Sequence, residues 1–275
     1  MNLTIGFSPC PNDTFIFDAM VNGKINTGNL IFETVLEDVE TLNKGARDYK
    51  LDVSKLSYGV LPLVLEKYVL LNSGSALGSG VGPLLISKAF KDLNDPEIQV
   101  AIPGEFTTAH LLFTLAYPQV KNKIFMRYDE IENFVQQQAE KVAGVIIHEN
   151  RFTYQDRGLI SIRDLGDYWQ SVTNSAIPLG GIVAKRSLPL TIRNQVQELI
   201  RSSLNYSLER YPELSTYVKQ HAQEMEESVV RKHIDLYVNT FTMDLGDEGK
   251  HAIDTLLQVY NNLHGSNISS ASIYN

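Results

Sequence analysis

Short apolar runs alternate with amphipathic stretches along the first third of the chain: LTIGF then FIFDAMVNG, LIFETVLE then VETLNKGARD, LDVSKLS then VLPLVLEKY. Strand and helix patterns alternating at this spacing predict βα units on a mostly parallel sheet. A second series opens at IQVAIPG (98–104) and continues through TTAHLLFTLA, KIFMRYDEI, a helical ENFVQQQAEK and the apolar GVIIHE. Between the two lies NSGSALGSGVG (72–82), which reads as a flexible turn leading into the strand-like PLLISK. No Gly-Lys-Ser/Thr follows it and no helix opens from it, so it is neither a Walker loop nor a dinucleotide fingerprint.

IPLGGIVA (177–184) predicts one more strand, with a Gly-Gly turn, and beyond it the pattern is almost wholly helical. Ile192, Val196, Leu199, Ile200, Leu204 and Leu208 recur at helical spacing. Ala252, Ile253, Leu256, Leu257, Tyr260 and Leu263 do so again before Gly265, a C-cap residue. Two α/β series and a helical tail fit either one long sheet or an α/β protein of two lobes around a cleft, and the apolar PLLISK and LGGIVA that bracket the second series favour two lobes. Lobe I comprises residues 1–90 and 187–275, lobe II residues 91–186, and a small molecule would bind between them.

A length of 275 residues and a hydrophobic content of 43% provide for a sizeable core. The single cysteine, Cys10, rules out an intrachain disulfide and a cysteine-built zinc site and suits a reducing compartment. No secretory signal is expected at LTIGFS and no run has the length of a membrane span, so a cytoplasmic location is the expectation. The net charge of −8 is spread without a basic stripe, which argues against nucleic acid as partner. An anionic ligand must then be held by local donors.

In open α/β sheets, ligands gather where strands end and helices begin. Three such junctions carry polar groups. In SPCPNDT, Pro11 suits the first helical turn, and Asn12, Asp13 or Thr14 either caps the helix or meets a ligand. In LDVSKLSYG, Ser54, Lys55 and Ser57 stand at a strand end, with Lys55 a candidate anion partner or a solvated lysine. In IPGEFTTAHLL, Thr107 and Thr108 open a helix whose free amides and positive dipole end suit a carboxylate or phosphate. The simpler reading makes one of them only the N-cap.

Of the six histidines, His221, His233, His251 and His264 fall in polar or amphipathic helices, and His110 lies one turn into a helix. All five read as structural or solvent-facing. His148 follows the apolar GVII and precedes ENRFTY, which puts an imidazole at the cleft end of a buried strand, where it can move protons. No HExxH pair is present, and Cys10 reads as packed rather than nucleophilic.

SPCPNDTFIF, LEDVETLN, KLSYG, SALGSGVGP, IPGEFTTAHLL, GVIIHENRFTY, IPLGGI and YVNTFTMDLGDEG occur in order from residue 8 to residue 249. Together they resemble the 1,4-dihydroxy-6-naphthoate synthases of the futalosine route to menaquinone. The resemblance implies a type II periplasmic-binding-protein-like fold. It also implies a lyase that splits cyclic dehypoxanthinyl futalosine into 1,4-dihydroxy-6-naphthoate and dihydroxyacetone, with neither metal nor redox cofactor.

By the same resemblance His148 is the proton acceptor, while Lys55, Leu56 and Ser57 form one substrate-binding segment and Thr107 and Thr108 a second. Ser54 departs from the threonine expected before the lysine but keeps a hydroxyl. Ser8, Asn12 and Thr14 are expected to shape the substrate from the first lobe; which group orients His148 is left open, Asp13 and Glu149 being candidates by position alone. The alternatives are chorismate dehydratase of the same pathway, expected to lack SPCPNDT and IIHENRF, and a non-catalytic carboxylate-binding protein. The sequence leaves the oligomeric state open.

Overall fold

The computed structural model describes residues 1–89, 92–138, 141–222, 226–270 and 273–274. Eleven strands among them form two sheets. Strands β1 (Asn2–Phe7), β2 (Ile31–Leu36), β3 (Val53–Ser57), β4 (Tyr68–Leu70), β5 (Ala76–Gly78) and β11 (Ile177–Lys185) make the first. Its order is β2-β1-β3-β11-β4, with β5 also paired to β11. Strands β6 (Leu84–Ser87), β7 (Gln99–Ile102), β8 (Lys123–Phe125), β9 (Val142–Ile146) and β10 (Ile160–Asp164) make the second, ordered β10-β6-β9-β7-β8.

The βα repeats produce the expected parallel pairs, β1 with β2 and β3, and β7 with β8 and β9. The two strands that carry the chain between sheets run antiparallel to their neighbours: β6 against β9 and β10, β11 against β3, β4 and β5. This sheet membership differs from the expected division. The boundary at residues 90/91 lies outside the described residues, but β6, ahead of it, already belongs to the second sheet. At the other end β11 belongs to the first sheet, ahead of residue 186. Apolar character identifies a buried strand but not the sheet that receives it.

Two segments differ from the pattern. NSGSALGSGVG is not a loose turn: it contains β5, and Ser73 and Ser75 are fully buried, Ser75 sharing a 2.7 Å hydrogen bond with Tyr58 Oη. Nor do Gly180 and Gly181 make a turn; they lie inside β11. A Cβ at Gly180 would stand 2.9 Å from the Leu56 carbonyl oxygen, and one at Gly181 would stand 2.7 Å from Tyr58 Oη. Both positions need the absence of a side chain so that neighbouring groups can approach.

The helical tail packs on the first sheet. Helix Leu190–Leu208 buries Val196, Leu199, Ile200 and Leu204, and helix Gly246–His264 ends at Gly265 in the left-handed conformation (φ 62°). One continuous apolar cluster joins Leu56, Tyr58 and Leu70 of the first lobe to Leu85, Val100 and Ile102 of the second. No described helix is long and apolar enough to cross a membrane.

Candidate active site

Between the lobes lies a cleft of about 710 Å³ of empty space, its open mouth included. Eight of the predicted residues line it: Ser8, Asn12, Lys55, Leu56, Ser57, Thr107, Thr108 and His148. Thr14 does not. It is fully buried one turn into helix Pro11–Val21, where its hydroxyl donates back to the carbonyls of Cys10 and Pro11. Val39, Leu42, Val81, Pro83, Leu179 and Tyr237 give the cleft an apolar lining suited to a ring system.

The SPCPNDT turn is organised around a carboxylate. Cys10 is the N-cap of the helix and makes no side-chain cap bond, so none of Asn12, Asp13 and Thr14 caps it. Asp13 instead accepts from Ser8 N–H (3.2 Å), Ser8 Oγ (2.7 Å) and Asn12 Nδ2 (2.9 Å), and pairs with Lys55 Nζ at 3.2 Å. Lys55 also donates to the Gly74 carbonyl at 2.7 Å. Both charges are buried, and pairing is what makes that burial tolerable.

His148 follows β9 with φ +57°, a left-handed conformation uncommon outside glycine that histidine, like asparagine and aspartate, adopts more readily than most residues. The residue keeps some surface toward the cleft, while its ring lies 5.0 Å from the Tyr128 ring and stacks parallel to His233 at 6.1 Å. Burial pushes the imidazole down to about 4, against the opposing pull of Asp13 and Asp38. At neutral pH the ring is therefore neutral and carries a lone pair. Burial, with a contribution from the Glu149 charge, holds the Cys10 thiol well above its usual range, which is inconsistent with an activated nucleophile.

The two threonines, both in the cleft wall, bond differently. Thr107 is the N-cap: its Oγ accepts from His110 N–H at 3.2 Å and donates to the Gly104 carbonyl at 2.9 Å. Thr108 Oγ accepts from Gly59 N–H at 3.0 Å and donates to the Leu179 carbonyl at 2.8 Å, joining the second lobe to the first. Their hydroxyl protons are committed, so the groups left to meet an anion are the first amides of helix Thr108–Ala116. Ser57 Oγ accepts from Asn43 Nδ2 at 3.2 Å and keeps its proton for a ligand.

Glu40, which the sequence did not single out, secures the same lobe contact. Its carboxylate accepts from the backbone N–H groups of Glu105 (3.0 Å) and Phe106 (3.1 Å), in the loop that leads to Thr107. Burial raises this carboxyl above its usual range, and the Phe106 amide is the largest opposing influence. Replacing Glu40 with alanine leaves both amides without that acceptor. The variant is expected to lose about 1.5–3 kcal/mol of unfolding free energy, read as a lower urea midpoint.

Of the two roles open to His233, structural or solvent-facing, the second fails, because the residue is fully buried. Its ring reaches Asn12 at 2.8 Å and lies 3.6 Å from Glu149. The signal was present in ESVVRKHIDLY, where Val229, Val230, His233, Ile234 and Tyr237 share one face at helical spacing. His110, His221 and His264 bond to backbone carbonyls and do not line the cleft.

Comparison with known proteins places this arrangement in a lineage. A Thermus thermophilus protein named 1,4-dihydroxy-6-naphtoate synthase is 44% identical over 254 residues, covering 92% of each chain. A Streptomyces coelicolor protein of the same name is 41% identical over 261 residues, covering 93% of this chain and 91% of its own. A solved structure from Archaeoglobus fulgidus superposes with a TM-score of 0.89 at 30% identity, covering 96% of this chain and 98% of that one. A Candida albicans protein with the generic periplasmic binding protein fold gives a TM-score of 0.68 at 11% identity, covering 99% of this chain and 93% of its own. That likeness speaks for the fold alone. The chain thus has a periplasmic-binding-protein-like fold, and, with the profile described as menaquinone biosynthesis matching residues 3–262, it belongs to the menaquinone-biosynthesis family.

Proposed function

We propose that this protein is a lyase that converts cyclic dehypoxanthinyl futalosine to 1,4-dihydroxy-6-naphthoate and dihydroxyacetone, in the cytoplasm, with His148 as general base. The observation that carries the reading is a neutral imidazole on the wall of an apolar cleft, in a chain 44% identical to a protein named for the product.

In this reading the substrate carboxylate meets the amides that open helix Thr108–Ala116, and Ser57 and Lys55 hold further oxygen atoms. A negative charge bound near His148 favours the imidazolium, so substrate binding itself raises the basicity of the ring. His148 then takes a proton from the substrate, elimination or retro-aldol-type cleavage frees the three-carbon fragment, and aromatisation of the new ring makes the step downhill. Donors fixed before the reaction stabilise charge growing on a carbonyl oxygen without reorganising. The Glu40 and Thr108 contacts would hold the lobes together around the substrate and exclude water from the chemistry. Incubating the purified chain with the cyclic futalosine derivative and following the naphthoate tests the reading.

A further inference from the structure

The two ring nitrogens of His233 face different chemistry. Nε2 lies 2.8 Å from Asn12 Oδ1, and that oxygen accepts, because the Asn12 amide nitrogen is committed to the Asp13 carboxylate at 2.9 Å. Nε2 therefore carries the proton, and the neutral ring keeps its lone pair on Nδ1. This buried Nδ1 has no hydrogen-bond partner among the described residues and stands 3.6 Å from Glu149 Oε2. A lone pair this near a carboxylate oxygen is relieved by a positive species between them: a proton or a cation. Glu149 also belongs to a second group, since ligating atoms of Cys10, His148 and Glu149 all lie within 4.8 Å of one another.

We propose that Cys10, His148, Glu149 and His233 form a site for a divalent cation of borderline softness, zinc before others, and that its occupation switches off the chemistry of the cleft. A thiolate, two imidazoles and one carboxylate select such an ion over magnesium or calcium. With metal–ligand bonds of about 2.0–2.3 Å, ligand atoms across a tetrahedral zinc site stand roughly 3.5 Å apart; His233 Nδ1 and Glu149 Oε2 already stand 3.6 Å apart, and Cys10, His148 and Glu149, within 4.8 Å of one another, close in by about 1 Å. Asn12, bonded to the far nitrogen of His233, is the outer partner that fixes such a ligand's orientation. The cleft supplies the way in, because His148 lines it. Loss of activity on loading rests on the reading of His148 as the base; binding itself does not.

Titrating the metal-free full-length chain with cobalt(II) tests the site. The expected result is saturation at one equivalent, with a thiolate-to-cobalt charge-transfer band and the intense visible absorption of a tetrahedral ion, both abolished by zinc. Cys10→Ser is expected to lose the charge-transfer band, and Asn12→Ala to weaken cobalt binding by about 10–100-fold. Should Cys10→Ser fail to fold, the unaltered protein still decides, because Cys10 is its only source of a thiolate. A weak octahedral spectrum without a thiolate band would overturn the site and leave a proton as the species joining His233 to Glu149.

One equivalent of zinc is expected to abolish naphthoate formation, and a chelator to restore it. Full turnover by the zinc-loaded chain would overturn the switch. A tetrahedral cobalt spectrum in a chain that never forms naphthoate would leave the site standing and refute the reaction assigned to it.

Discussion

Replacing His148 with asparagine is expected to lower turnover by about 100- to 10,000-fold, the usual contribution of a general base, while substrate affinity changes little. Asparagine keeps a polar side chain of similar reach but offers no basic lone pair. The rest of the cleft is built independently of the ring: Lys55 is held by Asp13 and Gly74, Ser57 by Asn43, and the helix carrying Thr108 by Gly59 and Leu179. The loss should therefore fall on kcat, with calorimetric binding of the substrate preserved. Turnover close to that of the unaltered protein would exclude His148 as the base. Equal loss of binding and turnover would show instead that the residue is a binding group.

Asp13→Asn is expected to destabilise the fold by about 3–5 kcal/mol, because it leaves the buried Lys55 ammonium without its counter-charge. The asparagine matches aspartate in shape and its oxygen can still accept from Ser8 N–H and Oγ, which share one carboxylate oxygen, so the cost is one of charge and of an NH2 turned toward the donors of Asn12 and Lys55. A paired change separates the two effects. Adding Lys55→Met removes the orphaned charge, and the double variant is expected to unfold at a higher urea concentration than Asp13→Asn alone. If the double variant is less stable by the sum of the two single losses, Asp13 and Lys55 do not act as a pair.

Most strands that build the cleft were legible because they are largely buried: β1, β7, β9 and β11 read as mainly apolar runs, whereas β3 is buried throughout yet carries Ser54, Lys55 and Ser57. Strand β10 was not, since it is an edge strand with three of its five residues exposed and no apolar repeat to mark it. The short β4 and β5 carry too few residues to show a period. In the site, His148 and Ser57 line the cleft from strand ends, as their residue types suggest, whereas Lys55 does so from the middle of β3.

Hydroxyl orientation was not legible. Whether Thr108 donates to a ligand or to Leu179 depends on how closely the other lobe approaches, and the residues that set that approach, Gly59 and Glu40, lie far from it in the chain. Thr14 was misplaced for a local reason. A threonine one turn into a helix can return its proton to a carbonyl three or four residues back, and here it does so.

The carbon–carbon cleavage proposed for this cleft, with His148 in its wall, releases two products that can be counted. The most direct measurement incubates the purified protein with cyclic dehypoxanthinyl futalosine and quantifies both products by mass spectrometry, beside the His148→Asn variant. Equimolar 1,4-dihydroxy-6-naphthoate and dihydroxyacetone from the unaltered chain, with at most about one hundredth of that rate from the variant, is the predicted result. Substrate that is bound but recovered intact, or naphthoate formed equally fast by both proteins, would contradict it.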